Sequence, residues 1–368
     1  MKILQITNSI TGSGGAGRLM VPLTRYLVEQ GHEVTVLQLI KGKGVGVLEE
    51  IEQYGGEVRW LKKEGSVYNP FMVFSLIRWL KMFDVVNVHL FPSFYWTAFA
   101  KVLSFCKTPL VYTEHSTTNK RRNSVLFRTF EGILYRNCYK KIIACADKVL
   151  ESFLETYPNF TNCLAINNGV DTNKYNTSQA YSKNQLCGVS EDSVIVTMVA
   201  RFVYPKRQDT IVKAIAKLPS NFHAVFVGAM PEDGTFSSVK QTVEQLKINS
   251  RVHFLGIRSD VPEVLKSSDI IVMSSEYEGL SLSSLEAMSS GKPLIASDVN
   301  GLREVVRGAG ILFDVNNDQQ LANEITNLIE DQSYYDRITA QCLERAMQYD
   351  FRVMGEKYSK VYTSVLGN

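Results

Sequence analysis

Cysteine is sparse and unpaired in this sequence. The six residues, Cys106, Cys138, Cys145, Cys163, Cys187 and Cys342, form no C-x-x-C pair, so neither a disulfide framework nor a zinc ribbon is expected. No apolar run approaches the ~20 residues needed to cross a bilayer. The opening MKILQI has neither the apolar length nor the small-residue cleavage site of a secretory signal. Charge of one sign is also lacking. Forty Lys and Arg against 37 Asp and Glu leave a formal net charge of +3, too little to imply nucleic acid as a partner. No repeat at a solenoid period and no low-complexity tract is present. These absences point to reduced thiols and a cytoplasmic chain, soluble or peripheral on the inner face of the membrane.

What the sequence does contain is a regular alternation. Its 368 residues, 45% of them hydrophobic, suit about two domains. Short apolar runs near residues 3–6, 34–39, 58–61, 85–89, 110–113, 142–145 and 163–166 alternate with helical patterns. A second series follows at 194–200, 224–228, 252–255, 270–274, 293–297 and 311–313. Runs apolar throughout, joined by helices, mean parallel strands covered on both faces. The expected fold class is α/β, with two doubly wound Rossmann-like domains facing a central cleft. The polar, turn-rich stretch 167–185 reads as the join. Residues 1–170 form the first domain and 171–348 the second. Residues 349–368 form a helix packing back on the first.

Ligands of such domains bind where loops leave the carboxyl ends of strands. After the first strand runs TNSITGSGGAGRLM, residues 7–20, in which Gly12, Gly14 and Gly17 fit G-x-G-x-x-G. A dinucleotide site also needs an acid ending the second strand, and Ile40 and Lys41 stand there instead. The loop can therefore cradle a phosphate without being a dehydrogenase fingerprint, although Lys41 could meet a 2′-phosphate.

Two constellations follow strands of the second domain. In ARFVYPKRQD, Arg201 and Lys206 can hold a diphosphate, Arg through its planar fork and Lys as a point charge. Pro205 suits the first turn of the next helix. In SSEYEGLSLSSLEAMSSGKP, Glu278 and Glu286 are separated by seven residues. The amides of Gly279, Leu280, Ser281 and Leu282 open a helix there and favour a phosphate. Carboxylates beside them can accept from sugar hydroxyls, although Ser283 and Glu286 also read as a capping box.

With these residues in view, the chain resembles the retaining GT-B glycosyltransferases, and specifically glycosyltransferase family four. The resemblance rests on Glu278 and Glu286 as an E-x7-E pair, on Arg201 with Lys206, on GGAGR after the first strand, and on NNGVD at the join. It implies a nucleotide-sugar donor, with UDP favoured, bound mainly by the second domain. Glu286 would bind the ribose and Glu278 the donor sugar. Arg201 and Lys206 would neutralise the leaving diphosphate. Gly14 and Gly15 would bring amides to the distal phosphate. The backbone of Gly256, Ile257 and Arg258 would lie near the base. His115 would stand near the donor sugar. No cofactor is implied and no metal, and no D-x-D pair stands at the strand ends. The departing phosphate would help deprotonate the acceptor.

On the acceptor side, seven basic residues and the single acid Glu131 lie between Lys120 and Lys141. Leu126, Phe130, Ile133 and Leu134 share a helical face there. This predicts an anionic membrane surface as a partner. Arg121 and Arg122 could instead bind an acceptor phosphate, and a glycan or polyprenyl-diphosphate-linked acceptor would suit both. The role expected is a step in bacterial surface polysaccharide synthesis. Asn87 and His89 alternate along one strand and share a side. Glu114 is a site candidate or the buried partner of an Arg. The alternatives are an NAD(P)-dependent oxidoreductase using the Gly12–Gly17 loop, a sugar-nucleotide 2-epimerase of the same shape, and a catalytically silent partner of another transferase.

Overall fold

Thirteen strands, all pairing in parallel, make two sheets in a computed structural model that describes residues 1–10, 15–44, 46–117, 119–278 and 281–367. The chain divides into two units, residues 1–169 with 351–368, and residues 170–350.

In the first unit the strands are β1 (Lys2–Thr7), β2 (Glu33–Ile40), β3 (Glu57–Lys62), β4 (Val85–His89), β5 (Leu110–Glu114), β6 (Tyr139–Ala144) and β7 (Cys163–Ala165), in the order β3-β2-β1-β4-β5-β6-β7. β4 and β5 are buried along their whole length, as strands covered on both faces must be. One face carries Leu4, Ile6, Val86, Val88 and Tyr112 into a core with the helices Met72–Leu80, Ser93–Ser104 and Val125–Cys138.

The other face is divided along the strands. Ile3, Val85, Val111 and Ile143 are apolar and pack with the helix Gly15–Glu29. Further along lie Gln5, Asn87, His89 and Thr113, all buried. Register places Gln5 beside Asn87 and His89 beside Thr113. The helix Phe351–Leu366 covers this face with Phe351, Met354, Tyr358, Val361, Tyr362 and Val365. Six such side chains contribute on the order of 10 kcal/mol of apolar burial.

The second unit has β8 (Val194–Val199), β9 (Phe222–Val227), β10 (Val252–Phe254), β11 (Ile270–Met273), β12 (Leu294–Ser297) and β13 (Ile311–Phe313), in the order β10-β9-β8-β11-β12-β13. Its first strand lies inside the sheet. The chain runs outward on one side, then restarts on the other, so the winding reverses between β8 and β11. Loops leaving those two strands diverge and leave a crevice. Tyr349 and Asp350, assigned from the sequence to the returning tail, belong to this unit. Val170 N–H donates to the Tyr349 carbonyl at 2.9 Å, and Asp350 bonds the Thr172 hydroxyl.

Gly355 sits where the returning helix crosses Tyr26. A Cβ there would lie 2.3 Å from Tyr26 Cγ, an atom close to the backbone that cannot swing away. Overpacking of this kind costs about 1–3 kcal/mol, against about 1 kcal/mol gained in helix propensity. Gly355→Ala is expected to destabilise the first unit while unfolding of the second stays unchanged. Calorimetry separates the two transitions, and an unaltered first-unit transition would show that this crossing is slack.

Candidate functional site

Several charged residues of the second unit stand on the loops that leave β8 and β11 and flank the crevice between them. After β8 the chain makes two successive turns, Val203 N–H to the Arg201 carbonyl (3.0 Å) and Lys206 N–H to the Val203 carbonyl (2.8 Å). Pro205 lies in this loop and not in the first turn of a helix, which begins only at Gln208. The Gln208 side chain holds the loop by donating to the Arg201 carbonyl at 3.0 Å.

After β11, residues 274, 276 and 278 all turn toward that loop. Ser274 Oγ lies 3.0 and 2.8 Å from the carbonyls of Lys206 and Arg207. Glu276 N–H donates to the Pro205 carbonyl at 2.9 Å. The Glu276 carboxylate takes the Arg207 guanidinium and the Tyr204 hydroxyl, and Asn316 donates to it at 3.2 Å. Glu278 pairs with Lys206 and accepts from Ser275 Oγ at 2.8 Å. The two loops are thus fastened by ion pairs whose members are mostly shielded from water. Arg201 is exposed, with no carboxylate paired to it among the described residues. Arg207, Glu276 and Asp209 were not singled out from the sequence. Arg207 holds a left-handed backbone (φ 53°) and bonds Asp209 at 2.9 Å as well as Glu276. Burial pushes the Asp209 carboxyl up, but hydrogen bonds from Arg207 and Lys213 outweigh it and hold the group down to about 2. Hydrogen bonds from Tyr204 and Asn316 likewise hold Glu276 below the usual carboxylate range.

The second carboxylate of the E-x7-E pair is buried within the helix Leu282–Ser289. Its N-cap is Ser281, whose Oγ accepts from Ser284 N–H at 3.3 Å, so Ser283 and Glu286 make no capping box. The first-turn amides of that helix point out of the carboxyl edge of the sheet, where an anion is favoured. Gly279 and Leu280 lie outside the described residues, as do Gly12, Gly14 and Thr118, while Gly15 opens the helix after the glycine loop. The loops after β9 and β10 meet at Gly228, whose N–H donates to the Gly256 carbonyl at 2.8 Å. Any Cβ at Gly228 would stand 2.1 Å from the Ala200 carbonyl oxygen, so only glycine lets these loops close up on β8. Ile257 is 81% exposed. Arg258 bonds Asp260, Nε to Oδ1 at 2.7 Å, and this bond holds the Asp260 carboxyl down to about 2.

In the first unit His115 follows β5 and is half-buried, its Nε2 2.9 Å from His89 Nδ1. Burial holds its imidazole down to about 4, so it is neutral at physiological pH. Glu114 is a buried partner of Arg122 and also accepts from the amides of His115 (3.0 Å) and Ser116 (3.2 Å). Arg121 bonds the fully buried Glu131 at 2.8 Å and lies 3.7 Å from the Phe91 ring centroid. Both arginines, read from the sequence as acceptor-phosphate ligands, instead point inward and pin the loop carrying His115. Leu134 is also buried, which corrects its placement on the membrane-facing stripe. The stripe itself consists of Val125, Leu126, Phe127, Phe130 and Ile133, all exposed.

Among the described residues no group of three His, Cys, Asp or Glu could hold a metal ion, and all six cysteines are free. No helix among them is long and apolar enough to cross a membrane.

Comparison with known proteins places both halves of the chain. Residues 185–344 match the family described as "Glycosyl transferases group 1", and residues 13–174 match "Glycosyltransferase Family 4". One similar protein is the N,N'-diacetylbacillosaminyl-diphospho-undecaprenol alpha-1,3-N-acetylgalactosaminyltransferase of Campylobacter jejuni, 31% identical over 47% of this chain and 46% of that one. Another is the UDP-Gal:alpha-D-GlcNAc-diphosphoundecaprenol alpha-1,3-galactosyltransferase of Escherichia coli, 27% identical over 60% of each. The chain thus spans about half the length of the first curated relatives it matches, 46% and 60% of these two. A phosphatidyl-myo-inositol mannosyltransferase of Mycolicibacterium smegmatis is 26% identical over 96% of this chain and 91% of its own. Among solved structures, Anabaena Alr3699/HepE in complex with UDP superposes with a TM-score of 0.84 over 99% of this chain and all of that one, at 23% identity. The fold is GT-B.

The depressed carboxyl of Asp209 sets a pH dependence. Its folded value is about 2 against an ordinary 3.8, so its contribution is complete above about pH 4 and is lost as pH falls toward 2. The stability margin of the wild type over Asp209→Asn is expected to shrink by up to about 2 kcal/mol across that window. Urea titrations of both proteins at a series of pH values test this, and a constant margin would mean that Asp209 has no such depressed value.

Proposed function

The chain belongs to glycosyltransferase family 4, and from that premise we propose that it moves a sugar, with retention, from a nucleotide-sugar donor to a glycan or lipid-linked acceptor. The favoured donor is a UDP-sugar, and the role is a step in bacterial surface polysaccharide synthesis. One observation carries the reading. Arg201 and Lys206 leave β8, Glu278 and Glu286 leave β11, and those two strands flank the point where the second sheet reverses its winding.

A diphosphate brought to this crevice meets the exposed Arg201 guanidinium, Lys206 and the first-turn amides of the Leu282–Ser289 helix. As the bond from the anomeric carbon to phosphate oxygen breaks, negative charge grows on that oxygen, and cations already in place stabilise it. Lys206 is paired with Glu278 in the free protein. A phosphate that replaces Glu278 as counter-ion frees that carboxylate to accept from sugar hydroxyls. In this reading Glu286, buried in the helix, takes the ribose hydroxyls. The leaving phosphate assists removal of the acceptor proton, and no cofactor or metal enters the scheme. The oxidoreductase alternative gains nothing at Lys41, whose ammonium lies 4.6 Å over the Trp60 ring. A 2-epimerase would need further acid–base groups at the sugar.

The Campylobacter and Escherichia coli relatives are named for acceptors carried on undecaprenol diphosphate. A polyprenyl-diphosphate acceptor for this chain is in keeping with the exposed Leu126, Phe127 and Phe130 beside exposed Arg128 and Arg136. Aromatic and aliphatic side chains flanked by cations suit an anionic lipid surface. The inner face of the membrane is the matching location.

Three measurements test these readings. Calorimetric titration in the presence of EDTA is expected to show UDP binding to the wild type, weaker binding to Glu286→Ala, and none of NADPH. Arg201→Ala is expected to lose at least about tenfold in turnover, some 1.4 kcal/mol of barrier. NADPH binding in place of UDP would overturn the assignment. For the surface, flotation with anionic liposomes is expected to carry the protein upward and to fail for Leu126→Asp/Phe130→Asp. A wild type that stays in the soluble fraction would remove the membrane from the account.

A further inference from the structure

Tyr362 lies close to the end of the chain, on the helix Phe351–Leu366. Its hydroxyl is fully buried on the sheet face described above. Two side-chain amides donate to it, Gln5 Nε2 at 2.9 Å and Asn87 Nδ2 at 3.0 Å. Thr113 Oγ1 donates to Asn87 Oδ1 at 3.0 Å and fixes that amide from its other side.

The orientation of Gln5 then propagates. With its NH2 directed at Tyr362, its carbonyl oxygen faces His89 Nε2 at 2.8 Å. A carbonyl oxygen only accepts, so His89 Nε2 carries a proton. The other neighbour of that nitrogen, Asn87 Nδ2, has a second N–H besides the one given to Tyr362 but stands farther off at 3.2 Å, and the shorter contact to the Gln5 carbonyl oxygen decides the tautomer. In neutral His89 the proton on Nε2 leaves Nδ1 as a lone pair. His115 Nε2, 2.9 Å away, must therefore donate to it. Neutral His115 is left with its Nδ1 as an acceptor.

We propose that Tyr362, through Gln5 and His89, is a positioning residue that locks His115 as the Nε2–H imidazole, so that its Nδ1 accepts a hydrogen bond from a substrate hydroxyl. The substrate half of this statement rests on the reading of His115 as a site residue. The relay rests only on the buried hydrogen bonds. Both rings are kept neutral by burial, so the lock concerns which nitrogen bears the proton and not whether the ring is charged.

Long-range proton–nitrogen correlation spectra of the full chain, labelled at its five histidines, read the tautomer of each ring. Substitution of each histidine in turn assigns the signals. In the wild type, His115 is expected to show a protonated Nε2 and a bare Nδ1. In Tyr362→Phe the two nitrogen shifts are expected to move toward each other as the lock is lost. Turnover should fall by about tenfold with the donor KM unchanged, the scale on which partners of a functional histidine act. Gln5→Met, which removes the acceptor on His89 directly, should give the same spectrum. A wild-type His115 bearing its proton on Nδ1, or spectra unmoved by both substitutions, would overturn the proposal. A lost lock with turnover unchanged in both Tyr362→Phe and His115→Ala would support the relay and contradict the substrate-facing role of His115.

Discussion

Two ion pairs, Lys206–Glu278 and Arg207–Glu276, hold the loops after β8 and β11 together, and the arrangement of the second unit's crevice follows from them. Those loops leave strands that diverge in connectivity, so nothing in the sheet itself fixes their distance. Side chains must do so. Four charged groups brought close without partners would repel or lose hydration at several kcal/mol each. Paired, and braced by Ser274, Ser275 and Tyr204, they form a preassembled set of charges at the edge of the sheet. A diphosphate entering this set exchanges one anion for another at Lys206 and leaves the desolvation of the cation largely unchanged. That economy is the physical case for placing the leaving group here.

The first unit solves a related problem with neutral groups. Gln5, Asn87, His89 and Thr113 occupy a face that would be a plain apolar core if the strands ended two residues earlier. Buried amides and imidazoles are costly unless each donor finds an acceptor. The returning C-terminal helix supplies the missing one, the Tyr362 hydroxyl. The segment therefore contributes apolar burial and polar satisfaction to the same sheet face.

The strands were legible because parallel strands buried on both faces read as continuous apolar runs. Each of the thirteen runs marked in the sequence coincides with a strand to within a few residues. The positions of Arg201, Lys206, Glu278 and Glu286 beyond β8 and β11 were legible because they follow apolar runs that form strands, while their roles belong to the proposed function. Partner choice was not. Arg121 and Arg122 stand among five other cations and look solvated, yet each finds a buried carboxylate, Glu131 ten residues on and Glu114 eight residues back. Adjacent charges such as Arg207 and Asp209 carry no periodic signal. Ser281 caps the helix, two residues before the Ser283 that reads as the cap in the sequence. Least visible was Tyr362, whose bonds to Asn87 and Gln5 span 275 and 357 residues. No local pattern records a contact of that range.

The central claim is that a nucleoside diphosphate sits in the crevice between β8 and β11 of the second unit. Hydrogen–deuterium exchange of the whole chain, with and without saturating UDP, tests it most directly. The account predicts slowed exchange in peptides covering residues 199–208 and 274–290. Unchanged exchange there, with slowing confined to peptides that follow β1, would contradict it.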